Sequence, residues 1–262
     1  MLQIASDLHI EYLSPHKIDF SDLLTPVAPY LILAGDIGSP FNTNFVAFIK
    51  WVSQHFNSVF YIAGNHEYWN PDSFITNPYS VSDINIIIRT ICSVYSNVHF
   101  LNNDTFLLTI NDQNYSIIGT TLWSPISSNS YSICSTLPDY QRIFVNKNKL
   151  LSPSISSSWF YHNLQWLTTQ LIISQTINSI PIVITHNVPS IDTRTTKYKN
   201  SVIDEVFRID LSSFLNHHNI KVWICGHTHT NFDFVTFNTR LISNQCGYQK
   251  SKTYSTGKVI TF

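Results

Sequence analysis

Five short segments of the chain carry carboxylate, amide or imidazole side chains directly after an apolar run. In chain order they are Asp7-Leu8-His9, Gly35-Asp36, Gly64-Asn65-His66-Glu67, Thr185-His186-Asn187 and Gly226-His227-Thr228-His229. Mixed imidazole and carboxylate ligands suit divalent first-row metals. A carboxylate that bridges two such ions supports water activation and charge neutralisation during displacement at phosphate. The residue types therefore predict metal chemistry on a phosphate-containing substrate.

The spacing within these segments favours the same interpretation. Residues i and i+2 of an extended segment lie on the same side, and Asp7/His9 and His227/His229 have this spacing. A glycine such as Gly35 permits a tight turn close to an ion. A single Asp-x-His pair is common in solvated loops, so each segment alone is a weak signal. The prediction depends on the ordered set of five.

Short apolar runs bounded by turn residues predict the strands that position the segments. These runs span residues 2–5, 30–34, 59–63, 115–118, 182–185 and 222–225. Helical spacing of apolar residues predicts helices within 45–56, 84–95, 159–177 and 206–215. In layered α/β sheets, ligands bind beyond the carboxyl ends of strands, which is where the five segments lie.

Other parts of the chain have different patterns. Residues 101–110 and 115–118 predict a hairpin with a turn at 111–114, and residues 231–237, 240–243 and 258–262 predict consecutive antiparallel strands. The serine-rich stretches 124–136 and 152–158 predict loops that could cover a site.

Composition limits the classes of partner. The formal net charge of −1 argues against bulk attraction to long nucleic acid or to an anionic membrane. No apolar run approaches the roughly 18 residues that a membrane span needs, and no signal peptide is evident. The four cysteines form no CxxC pair and are expected to be reduced thiols. With no internal repeat or linker, we expect one domain over residues 1–262 in the cytoplasm. The sequence gives no indication of the oligomeric state.

The five segments together resemble the motifs of the calcineurin-like metallophosphoesterases, and the resemblance covers nearly the whole chain. Residues 119–123, 139–143, 185–190 and 244–248 further resemble a microbial branch of that family, mostly of unassigned substrate. The resemblance implies an α/β fold, namely a four-layer α/β/β/α sandwich with mixed sheets and a metal site at the carboxyl ends of strands.

The resemblance also implies roles for individual residues. One divalent ion would be held by Asp7, His9, Asp36 and His229, and a second by Asp36, Asn65, His186 and His227. Asp36 would bridge the two ions, and a metal-bridging hydroxide would be the nucleophile. His66 would stabilise the phosphate charge or protonate the leaving group. The ligand types permit Mn, Fe, Zn, Co or Ni.

One departure from the family concerns the substrate. Protein Ser/Thr phosphatases of this family follow the bridging Asp with a longer motif ending in Asp-Arg-Gly, whereas Asp36 is followed by residues 37–40, Ile-Gly-Ser-Pro. We therefore expect a small phosphomonoester, phosphodiester or nucleotide. Arg142 could supply a substitute charge or form a structural ion pair. Trp123 could line the pocket or pack beneath a loop, and Glu67 could orient a ligand or close its turn.

Two further functions stay open at this point. The chain could be a non-catalytic metal-binding scaffold of the same fold, or a nuclease that acts on short nucleic acid. Metal content would discriminate the first and a salt-dependent gel shift the second. Substrate specificity is expected in the loops around residues 68–80, 123–142 and 190–202.

Overall fold

The computed structural model describes residues 1–14, 18–193, 201 and 203–261. The described strands are β1 Leu2–Ala5, β2 Tyr30–Ala34, β3 Ser58–Ile62, β4 Val98–Phe100, β5 Asp104–Ile110, β6 Gln113–Gly119, β7 Phe144–Asn146, β8 Lys149–Leu150, β9 Ile180–Ile184, β10 Val222–Ile224, β11 Asp233–Thr236, β12 Thr239–Ile242 and β13 Val259–Ile260. The described α-helices are α1 Thr43–His55, α2 Val81–Ser93, α3 Tyr131–Cys134, α4 Asp139–Arg142, α5 Pro153–Thr176, α6 Asp204–Phe207 and α7 Ser212–His217.

Two mixed sheets form the centre of the fold. The first sheet has the order β13-β1-β2-β3-β4, in which β1 to β4 are parallel and β13 is antiparallel to β1. The second sheet has the order β11-β12-β10-β9-β6-β5, with a parallel centre and an antiparallel strand at each edge. Strands β7 and β8 form a separate small hairpin.

Three apolar clusters fill the spaces between four layers. Alternation along each strand gives both sheets two apolar faces: Phe60 and Ile62 of β3 belong to the cluster between the sheets, whereas Val59 and Tyr61 belong to the cluster under α1 and α2. The third cluster lies between the second sheet and α5, where Leu167 is fully buried. The order helix, sheet, sheet, helix confirms the predicted four-layer α/β/β/α sandwich.

Most predicted elements occur close to their predicted bounds. The hairpin of β5 and β6 turns at Asn111 and Asp112, whose φ angles of 49° and 61° give the left-handed backbone of a two-residue hairpin turn. Among the described residues, no helix combines the length and apolarity needed to cross a membrane.

Three predictions about secondary structure need correction. Residues 206–215 are not one helix, because Arg208 is extended and bridges Val188 between α6 and α7. Residues 152–158 are not a loop, since Ser152 caps α5 and Pro153 begins it. The last strand, β13, joins β1 in the first sheet instead of extending the β11–β12 hairpin; residue 262 lies outside the described residues.

Candidate metal centre

The carboxyl ends of five strands meet at one place. Asp7, Asp36 and Asn65 follow β1, β2 and β3 of the first sheet, and His186 and His227 follow β9 and β10 of the second. Their side chains are buried. His9 and His229 complete the set of seven predicted ligands, so the structure brings all seven together.

The ligand atoms form overlapping groups. Three sets of residues each place their ligand atoms within 4.8 Å of one another: Asp7 with His9 and His229, His9 with Asp36 and His66, and Asp36 with His186 and His227. The Nε2 atoms of His9 and His229 lie 3.0 Å apart. Asp36 Oδ2 lies 3.3 Å from His186 Nε2 and 3.9 Å from His9 Nε2. Asp36 is therefore common to two of the groups.

The left-handed backbone, rather than an extended one, directs these side chains inward. Asp7, His9, Asp36, His227 and His229 have φ angles of 54°, 46°, 53°, 73° and 51°. Such angles are uncommon outside glycine and cluster at functional sites. Asp7 and His9 thus meet as expected, but through tight turns and not through strand alternation, whereas His227 and His229 belong to different groups of ligand atoms.

Gly64 allows the two sheets to approach at the centre. A Cβ atom at this position would overlap Asp36 Oδ1 and lie 2.7 Å from His186 Nε2. A side chain here would therefore displace two of the candidate ligands.

The donor set fits divalent transition ions. His186 Nδ1 lies 2.9 Å from the carbonyl oxygen of Ala34, which leaves Nε2 free to act as a ligand. Asn65 Nδ2 donates to Asp139 Oδ1 at 2.8 Å, and its Oδ1 lies 3.2 Å from His186 Nε2. Trp69 Nε1 also donates to Asp139 Oδ1, at 2.7 Å. The oxygen of the Asn65 amide is thus directed at the centre.

The pKa values show how strongly the buried charges interact. Burial alone would raise the pKa of the Asp36 carboxyl, but the neighbouring His186 imidazole lowers it well below its usual range. Burial alone would lower the pKa of His186, but the Asp36 carboxylate raises it to about 10. Burial and the positive charge of His186 lower the pKa of His227 to about 3. A divalent cation would replace the proton on His186 and leave the imidazoles neutral, as ligands must be.

His66 lies beside the ligand groups and has contacts on several sides. Its ring stacks on Trp69 with centroids 3.7 Å apart. Its Nε2 lies 2.8 Å from the Tyr248 hydroxyl, and its Nδ1 lies 3.3 Å from Glu11 Oε1. Burial would lower the pKa of His66, but the Asp36 and Glu11 carboxylates raise it. An imidazole with a raised pKa can donate a proton near neutral pH.

Glu67 connects two turns of the centre. Its buried carboxylate accepts the backbone N–H groups of Asp36, Ile37, Gly38 and Gly64 at 3.0, 2.7, 3.3 and 2.8 Å. Of the two roles considered from the sequence, both are present: the carboxylate closes its own turn at Gly64 and fixes the turn that presents Asp36.

Several residues of the site were not found by sequence reasoning. Glu11 contacts His9 as well as His66. Gln245 is fully buried, pairs with Ser6 across the chain and accepts the backbone N–H of His229. Gln245 and Tyr248 belong to the segment 244–248. The resemblance of this segment to the microbial branch was the one sequence signal that pointed to these two residues.

Arg142 and Trp123 have different positions relative to the centre. Arg142 pairs with Asp72 at 2.9 Å, lies over the Trp69 ring and lines a cavity that also contacts His66. Trp123 is 9% exposed and packs against Trp159 and Tyr68, with ring centroids 5.3 and 6.0 Å away. This placement favours the packing alternative for Trp123, behind the centre. Residues 194–200 and 202, which belong to the segment 190–202 predicted to carry specificity, lie outside the described residues.

A cavity of about 340 Å³, which we call the main cavity, opens onto the ligand groups. Asp36, Asn65, His227 and His229 line it on the side of the candidate ligands. Its other walls include Trp69, Leu137, Phe207 and Tyr248. The main cavity therefore combines polar candidate ligands with largely apolar and aromatic walls.

The fold and the cluster at the strand ends define a metallophosphoesterase architecture, and comparison with known proteins agrees. Residues 4–231 match the family described as calcineurin-like phosphoesterase. The chain belongs to this metal-dependent family of hydrolases.

Individual relatives extend the comparison. The uncharacterized protein L509 of Acanthamoeba polyphaga mimivirus is 32% identical over 278 residues, which covers 96% of this chain and 92% of that protein. The phosphopantetheinyl hydrolase PptH of Mycobacterium tuberculosis superposes with a TM-score of 0.70 at 17% identity, covering 94% of this chain and 89% of that one. TT1561 of Thermus thermophilus has a TM-score of 0.55 at 12% identity, covering 93% and 88%. These two structures share the fold.

Proposed function

We propose that the protein hydrolyses a small phosphoester at a centre of two divalent metal ions that share Asp36. The observation that supports this most directly is the position of the Asp36 carboxylate, which belongs both to the group with His9 and to the group with His186 and His227. A shared carboxylate is the usual device for holding two ions roughly 3.5–4 Å apart.

The residues divide into ligands and a proton donor. Asp7, His9, Asp36 and His229 would hold one ion, and Asp36, Asn65, His186 and His227 the other. When bound, such ions supply an activated water and neutralise charge on the phosphate. Their identity is open among Mn, Fe, Zn, Co and Ni, and we propose manganese for the first trial.

His66 completes the reaction. As water adds to phosphorus, the bond from phosphorus to the leaving oxygen breaks, and that oxygen needs a proton. His66 is held by its Trp69 stack and by Glu11, and its raised pKa favours the protonated form. Its Nε2 would then donate the proton to the leaving oxygen.

Two broader features belong to the same proposal. We place the protein in the cytoplasm, a choice supported by the four cysteines, which are all buried and free. We treat residues 1–262 as one domain, since β13 pairs with β1 across almost the whole length of the chain.

The test is metal-dependent release of p-nitrophenol from mono- and bis-p-nitrophenyl phosphate by the Mn²⁺-loaded protein. We expect Asp36→Ala and His66→Ala each to abolish release. The control is His162→Ala, which removes an exposed imidazole on α5 and should leave the rate unchanged. A broad phosphoester panel with no turnover by the metal-loaded protein would contradict the proposal. Metal content below one ion per chain would favour the scaffold alternative.

A further inference from the structure

A second cavity borders His66 as the main cavity does. It measures about 250 Å³, and its lining includes Glu11, Tyr12, Phe41 and Arg142. His66 and Trp69 line both cavities. The imidazole that would protonate the leaving oxygen therefore borders the open space of both cavities.

Both cavities have aromatic side chains that could hold a flat group, next to polar side chains such as Glu11 and Arg142 of the second cavity. The main cavity has Phe207, Leu137 and the Trp69 ring, and the second has Tyr12 and Phe41. Aromatic side chains provide large contact areas for rings at low entropic cost. Each cavity is large enough for one ring-sized group, given that pockets for whole ligands start near 300 Å³.

The rims of the two cavities are joined by two tyrosines. Tyr12 and Tyr248 are 61% and 60% exposed, and their rings meet edge to face with centroids 5.8 Å apart. Tyr12 lines the second cavity and Tyr248 lines the main cavity. A substrate that spans the rim would contact both rings.

Apart from the two ions that the candidate ligands would hold, the described walls of the main cavity offer a phosphate little further positive charge. Arg208 supplies the one guanidinium group among the described residues that line this cavity. It is 5% exposed, and it donates hydrogen bonds to Asp204 at 2.7 Å and to Thr193 at 3.1 Å. The carboxylates of Asp139 and Asp204 also line it. A phosphomonoester has a second pKa near 6 and carries nearly two charges at neutral pH, whereas a diester carries one.

We propose that the site takes a phosphodiester whose two ester groups lie in the two cavities that His66 and Trp69 border. This rests on the proposed function. In the reaction, the oxygen of water adds to phosphorus, the bond to one ester oxygen breaks, and the water gives up one proton to solvent, from which His66 is protonated again after the step. His66 gives its proton to that oxygen, and the products are a phosphomonoester and an alcohol.

The experiment compares substrates that share one leaving group, p-nitrophenol, and differ in the second ester group. These are p-nitrophenyl phosphate, methyl p-nitrophenyl phosphate and phenyl p-nitrophenyl phosphate, assayed with the Mn²⁺-loaded protein. We expect kcat/KM for the phenyl diester to exceed that for the methyl diester by about tenfold or more, because the phenyl ring buries apolar surface in a cavity. The monoester should be slower than the phenyl diester by a similar factor.

Variants locate the two ester groups. Tyr12→Ala alters the second cavity and Phe207→Ala the main one. One of them should lower the phenyl-to-methyl ratio at least threefold, and the other should lower kcat/KM for both diesters together, because it contacts the nitrophenyl group. Tyr161→Ala is the matched control, since Tyr161 is 62% exposed on α5, and it should change neither quantity.

Two outcomes would overturn the diester proposal while the proposed function stands. One is a monoester that is hydrolysed at least as well as the phenyl diester. The other is chelator-sensitive hydrolysis in which Tyr12→Ala and Phe207→Ala behave like Tyr161→Ala. If no substrate releases p-nitrophenol in a chelator-sensitive way, the proposed function fails as well.

Discussion

The Glu67 carboxylate joins the turn at Gly64 to the turn that presents Asp36, and the cost of neutralising it can be worked out from its hydrogen bonds. Oε2 accepts from the N–H groups of Asp36 and Gly64, and Oε1 accepts from those of Ile37 and Gly38. In Glu67→Gln the side chain keeps nearly the same shape, but an NH₂ group replaces one oxygen and cannot accept a hydrogen bond. Two buried N–H groups then lose their acceptor, at about 1–3 kcal/mol each.

We therefore expect Glu67→Gln to lower the free energy of unfolding by about 2–6 kcal/mol, measured by urea denaturation of the metal-free protein. Burial and the neighbouring Asp36 carboxylate raise the pKa of Glu67 to about 7, so the assay is run at pH 8, where the wild-type group is ionised. At about 2 °C or more per kcal/mol for a chain of this size, the melting temperature should fall by about 4 °C or more.

The matched control is Asp104→Asn, which also neutralises a carboxylate. Asp104 is 47% exposed and pairs with Arg89 at the surface, so this change should cost less than about 1 kcal/mol. A difference of about 0.5 kcal/mol or less between the free energies of unfolding of Glu67→Gln and the wild type would be smaller than the cost of one lost hydrogen bond. The four contacts would then not fix the two turns, and the reasoning would be refuted.

Three other perturbations have expected outcomes that follow from the structure. Arg208→Ala removes the guanidinium from the buried Asp204 carboxylate and should lower the free energy of unfolding in urea by about 3–5 kcal/mol. The control is Arg89→Ala at an exposed ion pair, which should lower it by less than about 1 kcal/mol. The hydrogen bond from Arg240 lowers the pKa of Asp233 below 3.8, so its stabilisation is present above that pH and is lost as pH falls through the folded-state pKa. Asp233→Asn should therefore lower the melting temperature at pH 7, and its difference from the wild type should shrink as the pH falls below 3.8; a difference that does not change with pH would count against the ion pair. Mn²⁺ should raise the melting temperature of the metal-free protein as its concentration rises, because it binds the folded state; a melting temperature indifferent to millimolar Mn²⁺ would argue against binding.

The strands that position the site could be predicted because each is a short apolar run with a polar stop. Both faces of the central strands are buried, so β2 and β3 read as nearly continuous apolar sequence. The serines of 152–158 were misleading, since serine is common both in loops and at the first turn of a helix. Ser152 and Pro153 together marked the helix start.

The candidate ligands could be predicted from their residue types and their order in the chain, but the geometry of the site could not. Asp7 and His9 meet the other ligands through left-handed turns, which no periodicity reveals. Glu11 has no local signal of its role, and the resemblance of segment 244–248 does not indicate what Gln245 and Tyr248 contact. Their contacts depend on how the two sheets pack, since Tyr248 meets His66 across 182 residues of chain.

Hydrolysis of phenyl p-nitrophenyl phosphate, followed with metal content on the same sample, tests the central claim most directly. Two ions per chain should accompany full activity in the wild type, and chelation should remove both the ions and the activity. Asp36→Asn should retain fewer than two ions and should not release p-nitrophenol. A wild-type protein that is active after complete metal removal, or a fully loaded one that is inactive on this and a broad panel of other phosphoesters, would contradict the account.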